Sequence, residues 1–360
     1  MAIFSVLFFL ILPFLYIALA PQFGKKPFGS HLLKLKKSRQ YRIDCFDNTP
    51  HADPVFTMKG IWDILSHIRE ARALRRPQGK LPSSRIPFDR QSGAHLTWFG
   101  HSTFLYEVDG KKILIDPMLG TYASPIPGFI KRYPYDLPSS AEHLPHLDAI
   151  IISHDHYDHL DYGTILKLKD KVDRFFTPLG VGSHLVHWGV PKSKITELDW
   201  WESANMDQLT IHATPSQHFS GRSLTDRKKT LWASWVIQSS TAKIFFGGDS
   251  GYFKGFSEIG EKLGPFDLTL LDSGQYNEHW KEVHMTPEES VQAHQDLRGV
   301  VFMPIHWSAF TLSFHAWTDP AERAVSMAEI HGITMVTPKI GERFDVLVDR
   351  PEEKWWRAYQ

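Results

Sequence analysis

Short apolar runs separated by turns dominate the chain from His95 onward, and this pattern predicts strands. Residues 104–108 and 112–115 are two such runs joined by Asp109-Gly110, a dipeptide typical of a tight hairpin. Further strand-like runs occupy residues 96–99, 148–153, 209–212, 232–237, 243–246 and 268–271. Helical periodicity follows at 286–297 and 319–331. Because hairpin-paired strands come first and helices are inserted later, we predict sheets covered by helices.

The first segment, residues 2–20, contains no charged side chain and as a helix is long enough to cross a hydrocarbon layer of ~30 Å. We therefore predict a single membrane anchor. A cleaved secretory signal is the alternative, although no Lys or Arg precedes the apolar run. Seven basic residues lie between this run and the first acidic residue, Asp44: Lys25, Lys26, Lys34, Lys36, Lys37, Arg39 and Arg42. The positive-inside rule then predicts that the body of the protein is cytoplasmic, whereas a cleaved signal predicts export.

Residues 21–85 are predicted to form a basic juxtamembrane segment. Apolar positions at helical spacing and several arginines predict an amphipathic helix over 58–76, which suits either anionic lipid or the surface of the domain. The stretch 77–84 is rich in Pro, Gly and Ser and is typical of a linker. The main domain is predicted to span residues 86–350.

The amino-acid composition excludes several classes of partner and of metal site. The chain has 360 residues, with 40 Lys+Arg against 40 Asp+Glu, so its net charge gives no reason to expect nucleic acid as a partner. A single cysteine, Cys45, excludes a disulfide scaffold, a cysteine-rich zinc module and an iron–sulfur protein. Any metal must therefore be held by nitrogen and oxygen atoms, and the chain offers 20 histidines.

Three histidines and two aspartates fall within six residues directly after the predicted strand 148–153. The string is His154-Asp155-His156-Tyr157-Asp158-His159. Residues two apart in an extended loop point the same way, so His154 and His156 are placed to chelate one ion. Asp158 and His159 follow a turn and are placed to face a neighbouring ion. We interpret the loop as a metal site rather than a solvated polar loop.

This H-x-H-x-D-H string resembles the metallo-β-lactamase superfamily, whose remaining pattern occurs in order over residues 94–345. Pro215-Ser216-Gln217-His218 supplies a third histidine, Gly247-Gly248-Asp249 a bridging aspartate, and Pro304-Ile305-His306 a last histidine. The resemblance implies an α+β fold, a four-layer αββα sandwich. It also implies one zinc on His154, His156 and His218, a second on Asp158, His159 and His306, and Asp249 between them. Manganese or iron also suits such ligands.

Within that superfamily the chain is similar to the phospholipase D that hydrolyses N-acylphosphatidylethanolamine and to its bacterial relatives. The similar stretches lie outside the ligand set: residues 97–101, 197–202, 215–218, 264–268 and 309–310. Residues 1–90 are not covered by the resemblance. The segment after Leu271, Asp-Ser-Gly-Gln-Tyr-Asn, departs from the animal enzyme.

Several other side chains are candidate functional residues for which the sequence leaves a structural alternative. Asp116 is expected either to support a ligand histidine or to be a simple strand-end carboxylate. The resemblance places His284 at the active site, where it binds phosphate or protonates the leaving oxygen; alternatively it only precedes a helix capped by Thr286. His101, near the first hairpin, is a further candidate. Six aromatic residues are expected to line an acyl groove or to belong to the core: Trp200, Trp201, Phe219, Trp280, Trp307 and Phe310.

The resemblance and the anchor together predict a membrane-bound, two-zinc phosphodiesterase acting on a lipid. Its substrate is then N-acylphosphatidylethanolamine, its products phosphatidic acid and an N-acylethanolamine, and its partners the bilayer and that lipid. The catalytic residues expected from the resemblance are Asp249 and His284. Three alternatives remain: hydrolysis of a lactone, a β-lactam or a soluble phosphodiester on the same metals, a non-enzymatic metal-binding membrane protein, or nucleic-acid processing, which the neutral charge disfavours.

Overall fold

Two mixed β-sheets of seven strands each form the frame of the protein. The computed structural model describes residues 15–17, 19–53, 73–85, 92–137 and 140–360. The strands are β1 (Tyr41–Arg42), β2 (Cys45–Phe46), β3 (Ala94–Trp98), β4 (Phe104–Val108), β5 (Lys111–Ile115), β6 (Leu147–Ile151), β7 (Val172–Pro178), β8 (Ile195–Leu198), β9 (Ser203–Met206), β10 (Leu209–Thr214), β11 (Ser234–Gln238), β12 (Lys243–Phe246), β13 (Phe266–Asp272), β14 (Gly299–Ile305), β15 (Thr334–Met335) and β16 (Arg343–Asp345). The helices are α1 (Gly29–Leu35), α2 (Tyr162–Leu168), α3 (Gly182–His187), α4 (Gly255–Leu263), α5 (Pro287–Asp296) and α6 (Asp319–His331).

The two sheets share one plan. The first has the order β16-β3-β4-β5-β6-β7-β8, and the second has the order β15-β14-β13-β12-β11-β10-β9. Neighbours are antiparallel from β16 to β5 and parallel from β5 to β8. In the second sheet they are antiparallel from β9 to β12 and parallel from β12 to β15. Each sheet therefore combines a hairpin half with a half that needs crossover connections.

Alternation along the strands separates the layers. In β12, Ile244 and Phe246 lie in the core between the two sheets, whereas Phe245 packs against the helices on the outer face. The outer face of the first sheet is covered in the same way by α2 and α3, with Ile165 and Leu185 in its own apolar cluster. Successive side chains of a strand point to opposite faces, so each sheet buries both faces. The predicted αββα arrangement is confirmed.

The described parts of residues 21–85 pack onto this sandwich. Leu35, Phe46 and Leu81 are fully buried in the core between the sheets. The predicted linker pairs with the domain, because Leu81 bridges to Tyr135 and Ser83 bridges to Ile340. Most of the helix predicted over 58–76, and the proposed domain start at residue 86, lie outside the described residues.

The predicted anchor is described only at residues 15–17, 19 and 20, of which 15–17 and 19 are helical. Within the part of the chain that the structure describes, none of the helices has both the length and the apolar character needed to cross a bilayer. The anchor over residues 2–20 therefore stays a prediction.

Candidate metal centre

The side chains predicted to bind metal follow the carboxyl ends of strands at one edge of the sandwich. Residues 154–159 come after β6, His218 after β10, Asp249 after β12 and His306 after β14. In the second sheet β10, β12 and β14 run in the same direction, because β10 and β12 both pair antiparallel with β11 and β12 to β14 are parallel. Their carboxyl ends therefore meet, and residues far apart in sequence become neighbours.

The first group of ligands contains three histidines and one carboxylate. His156 Nδ1 lies 2.9 Å from His154 Nε2 and 3.2 Å from His218 Nε2. Asp249 Oδ2 lies 3.8 Å from His154 Nε2 and 3.7 Å from His218 Nε2. Four donors at ~2.1 Å from a tetrahedral zinc are about 3.4 Å apart, so this spacing suits one cation.

The second group lies beside the first. Asp158 Oδ2 is 3.2 Å from His306 Nε2 and 3.4 Å from His159 Nε2. His101 joins this group, because its Nε2 lies 2.8 Å from the same oxygen and its side chain is fully buried. The four residues each offer one ligand atom, and these atoms lie within 4.8 Å of one another. The structure thus brings His101, a secondary candidate, into contact with the site.

Asp249 lies between the two groups. Its Oδ1 is 3.1 Å from His159 Nε2, and its Oδ2, which faces the first group, is 3.3 Å from His306 Nε2. Asp249 Oδ1 and His159 Nε2 are buried, and despite their 3.1 Å separation neither makes a well-directed hydrogen bond within the described residues. Leaving buried polar atoms unpaired is costly, and a bound cation removes that cost. The donor set therefore fits a pair of cations that share Asp249.

Hydrogen bonds behind the rings set the protonation of each histidine. His218 Nδ1 donates to the carbonyl oxygen of Val283 at 3.0 Å, and His306 Nδ1 donates to Asp272 Oδ1 at 3.2 Å. With the proton on Nδ1, the lone pair of Nε2 points into the ligand cluster. When neutral, both rings therefore present the nitrogen that can bind metal to the ligand cluster.

Asp116 orients two more histidines. It is fully buried at the end of β5, and its Oδ2 accepts from His159 Nδ1 at 2.6 Å and from the Ser153 hydroxyl at 2.6 Å. Because that hydroxyl donates to Asp116, its oxygen accepts from His154 Nδ1 at 2.9 Å. The carboxylate thus supports ligands of both groups, which matches the supporting role considered for it from sequence.

The electrostatics of the two groups differ. Burial, together with neighbouring histidines, holds the pKa of His154 well below its ordinary value, and burial also lowers the pKa of His156 and His218, so the three histidines of the first group stay neutral. Burial also disfavours charge on His306, but the carboxylates of Asp249 and Asp272 outweigh it and raise its pKa to about 10. Likewise the pKa of His159 lies well above its ordinary value despite burial. The second group attracts positive charge, and a divalent cation supplies it without protonating the ligands.

A cavity of about 260 Å³ opens directly above the ligands. Its polar wall is formed by His156, Asp158, Asp249, Gln275, His284 and His306. Its apolar wall is formed by Phe219, Trp280, Val283 and Leu312. His284 Nδ1 donates to Asp272 Oδ2 at 2.7 Å, so the Nε2 edge of this ring is left for a ligand in the cavity. His284 therefore lies at the active cavity as well as preceding a capped helix.

Most of the six aromatic residues considered for an acyl groove lie elsewhere. Trp200 and Trp307 belong to the core between the sheets, and Phe310 is buried against His101. Trp201 is 37% exposed and lies under the Lys262 ammonium. Phe219 and Trp280 remain as cavity residues. Aromatic side chains in strands and tight turns are mainly core, which sequence periodicity does not separate from a groove.

Two supporting residues were missed by sequence reasoning. Asp272, the last residue of β13, contacts both His284 and His306. Arg222 is buried, and its Nη1 donates to the carbonyl oxygens of Asp155 at 2.6 Å and Leu160 at 2.9 Å, so it clamps both ends of the ligand loop. Neither residue is part of a recognisable sequence motif, and only folding of the chain brings them to the site.

Comparisons with known proteins agree with this geometry. A family profile described as "Beta-lactamase superfamily domain" matches residues 111–307. An uncharacterized protein of Mycobacterium tuberculosis is 40% identical over 89% of this chain and 88% of its own length. The N-acyl-phosphatidylethanolamine-hydrolyzing phospholipase D 1 of Caenorhabditis elegans is 33% identical over 71% of this chain and 76% of its own. Igni18, a metallo hydrolase from Ignicoccus hospitalis, has a similar fold, with a TM-score of 0.53 and 23% identity over 70% of this chain and 98% of its own.

Proposed function

The chain belongs to the metallo-β-lactamase superfamily of metal-dependent hydrolases, and from this premise we propose that it is a two-zinc phosphodiesterase acting on a membrane lipid. The proposed reaction converts N-acylphosphatidylethanolamine to phosphatidic acid and an N-acylethanolamine. The observation that carries the proposal is the position of Asp249, which lies between two histidine groups beneath a cavity.

When bound, two zinc ions would supply an acidified water and positive charge to stabilise the phosphodiester oxygens. The residues that would hold them are His154, His156 and His218 in the first group, Asp158, His159 and His306 in the second, and Asp249 in both. Nitrogen and carboxylate donors favour zinc, and manganese or iron also suits them.

The cavity residues have separate tasks in this proposal. The Nε2 edge of His284 contacts the phosphodiester, and in its imidazolium form, with Nδ1–H on the Asp272 carboxylate, it donates the Nε2 proton to the leaving oxygen. The apolar wall around Phe219 and Trp280 excludes water and contacts the glycerol and acyl portions of the lipid. Buried carboxylates behind the rings keep the histidines in place while substrate enters and products leave.

A lipid substrate is supported by two independent features. The Caenorhabditis elegans relative, 33% identical over 76% of its length, carries the name of an N-acyl-phosphatidylethanolamine hydrolase. The apolar run over residues 2–20, followed by basic residues, is the second feature. We propose that this run holds the catalytic domain at the cytoplasmic surface of a membrane, where lipid reaches the cavity.

The test is an assay of the purified full-length protein on N-acylphosphatidylethanolamine and on ordinary phosphatidylethanolamine in mixed micelles, with zinc measured by mass spectrometry. We expect about two zinc ions per chain and release of an N-acylethanolamine. Chelation should abolish activity, and added zinc should restore it. Inertness on both lipids at full zinc occupancy, with turnover of a lactone, a β-lactam or a soluble phosphodiester, would contradict the lipid assignment.

Asp249→Asn separates an enzyme from a protein that keeps metal only for stability. We expect an activity loss of at least about 100-fold and a lower zinc content, because the shared carboxylate is lost. The matched control is Asp173→Asn, which changes an exposed aspartate 3.2 Å from His146. Normal zinc binding in the wild type, with altered melting of the variant and no activity in either, would favour the non-enzymatic alternative.

A further inference from the structure

Asp272 binds two histidines with the two oxygens of one carboxylate. It is fully buried, its Oδ1 accepts from His306 Nδ1 at 3.2 Å, and its Oδ2 accepts from His284 Nδ1 at 2.7 Å. The two imidazole rings are nearly parallel, at an angle of 12° with centroids 5.0 Å apart. One side chain thus orients a metal-group histidine and the cavity histidine together.

The surroundings of Asp272 leave it little freedom to move. The backbone N–H of Gly274 donates to its Oδ1 at 3.3 Å, and the Ser290 hydroxyl donates to its carbonyl oxygen. A Cβ added at Gly274 would lie 1.8 Å from the carbonyl oxygen of His306, so the turn after β13 packs directly against the backbone of that ligand. The carboxylate is therefore held by the turn after β13, and the backbone of Asp272 is held from α5.

The position of Asp272 differs from that of a direct ligand. It lies near Asp249, His284 and His306, and all four ligand atoms are within 4.8 Å of one another. However, its oxygens contact the Nδ1 atoms of His306 and His284, on the opposite side of each ring from Nε2. His306 Nε2 faces Asp158 and Asp249 at 3.2 and 3.3 Å. Asp272 therefore acts from behind the ligand.

We propose that Asp272 is a positioning residue that fixes His306 as a metal ligand and His284 as the cavity histidine through one shared carboxylate. The part that concerns His284 rests on the proposed phosphodiesterase function, whereas the part that concerns His306 does not.

The first experiment titrates zinc into the metal-free full-length protein. In Asp272→Asn the side-chain amide opposes one of the two Nδ1–H donors, so we expect one zinc site to weaken about 10- to 100-fold while the other keeps its affinity. His284→Asn should retain both affinities, as should the surface control Asp173→Asn. Unchanged zinc affinity in Asp272→Asn, or equal weakening of both sites with a lower melting temperature, would overturn the proposal.

The second experiment measures kcat and KM for N-acylphosphatidylethanolamine at saturating zinc. We expect Asp272→Asn to keep a reduced kcat even when both zinc sites are filled, because a single amide oxygen cannot accept from both rings and, once zinc binding orients it toward His306, the amide N–H₂ opposes the Nδ1–H of His284. In the double variant Asp272→Asn/His284→Asn, the Asp272 change should cause no further loss beyond His284→Asn alone. Full recovery of kcat in zinc-saturated Asp272→Asn, or independent losses in the double variant, would overturn the role through His284.

The two experiments distinguish a failure of the proposed phosphodiesterase function from a failure of the role proposed for Asp272. If the wild type binds two zinc ions but hydrolyses no phospholipid, the proposed function fails, while the zinc titration of Asp272→Asn still decides the role toward His306. If Asp272→Asn does not fold, as judged by circular dichroism, Asp272→Ser replaces it in the titration. Retention of both zinc affinities in that variant would equally overturn the proposal.

Discussion

Acceptor atoms behind the rings of His159, His306 and His218 decide which nitrogen of each faces the ligand cluster. Asp116, Asp272 and the carbonyl oxygen of Val283 each accept a proton from an Nδ1 atom. In the neutral form of each ring the single N–H is then on Nδ1, and the Nε2 lone pair faces the ligand cluster. The site is therefore preorganised by acceptors that do not themselves bind metal.

Asp116→Asn tests this tautomer control. The new amide group would face the Nδ1–H of His159, so that ring would have to move its proton to Nε2 and lose its lone pair. We expect zinc affinity at the second group to fall about 10- to 100-fold in a titration of the metal-free protein. Asp148→Asn is the control, because Asp148 accepts from Lys112 N at 2.9 Å at the opposite end of the same strand pair. Equal affinities for wild type and Asp116→Asn would contradict the prediction.

His294 gives the folded protein a pH dependence away from the metal. Burial lowers its pKa from 6.5 to about 4, and its Nδ1 lies 2.8 Å from the Thr269 hydroxyl. The unfolded chain binds this proton near pH 6.5 but the folded chain only near pH 4, so the free energy of unfolding falls as the pH falls across that window. The loss attributable to His294 is about 3 kcal/mol.

Denaturant unfolding of His294→Gln at several pH values measures this contribution. Between pH 7 and pH 4 the variant should lose about 3 kcal/mol less stability than the wild type, since it lacks the titrating ring. His331→Gln, at the exposed end of α6, should follow the wild-type curve. Parallel curves for wild type and His294→Gln would show that the ring does not resist protonation.

At the scale of elements, the ligand loop is joined to the described N-terminal segment. Arg222 donates through Nη2 to the carbonyl oxygen of Gln22 at 2.7 Å while its Nη1 holds the loop. In parallel, Lys25 N donates to His184 Nδ1 at 2.9 Å, and His184 Nε2 donates to Asp155 Oδ2 at 3.1 Å. Residues 22–25 therefore help to hold the ligand loop, residues 154–159, in place.

Arg222→Met removes this junction while keeping much of the apolar volume. Three carbonyl oxygens, of Gln22, Asp155 and Leu160, would lose their donor in a buried place. We expect the free energy of unfolding to fall on the order of 3 kcal/mol and zinc to bind more weakly. Arg350→Met is the control, because Arg350 contacts carbonyl oxygens of its own surface segment. Wild-type stability and zinc affinity of Arg222→Met would contradict the junction.

Sequence patterns predicted some elements far better than others. The helix predicted over 319–331 is confirmed as α6, because Pro320 near its start and the left-handed Gly332 after its end are strong boundary signals. By contrast, β7 was missed, because its outward Asp173 and Arg174 interrupt the apolar run. β16 has three residues and exists only through pairing with β3, a contact that no local pattern predicts.

The same distinction holds for the site. The ligand set came from a motif with fixed order, so it was predictable, and the structure brings those residues together. Asp272 was not predictable, because a lone aspartate at a strand end has no pattern and its partners, His284 and His306, come from later in the chain. Its role depends on the register of β13 beside β14, which tertiary packing decides.

At the scale of the whole molecule, a tryptophan cluster closes the sandwich behind the metal centre. Trp307 follows His306 directly and stacks on Trp355, with centroids 5.6 Å apart at 18°. Trp98 and Trp356 also contact Trp307, at centroid distances of 5.5 Å each. The short 3₁₀ helix Trp355–Tyr359 thus brings the C-terminal end of the chain into the core between the two sheets.

Trp356→Ala tests whether this closure stabilises the fold without taking part in the chemistry. Trp356 is fully buried, so its removal leaves a cavity and should cost about 4 kcal/mol of unfolding free energy, measured by denaturant. The folded fraction should still bind the wild-type amount of zinc, because the ligands are positioned by β6, β10, β12 and β14 and not by the C-terminal helix.

The control is Trp201→Ala, at a 37% exposed position, which should cost less than about 1 kcal/mol of unfolding free energy. A small loss of unfolding free energy in Trp356→Ala would show that the two sheets are held together without the C-terminal segment. A fully folded variant with less bound zinc would show instead that the tryptophan cluster positions His306.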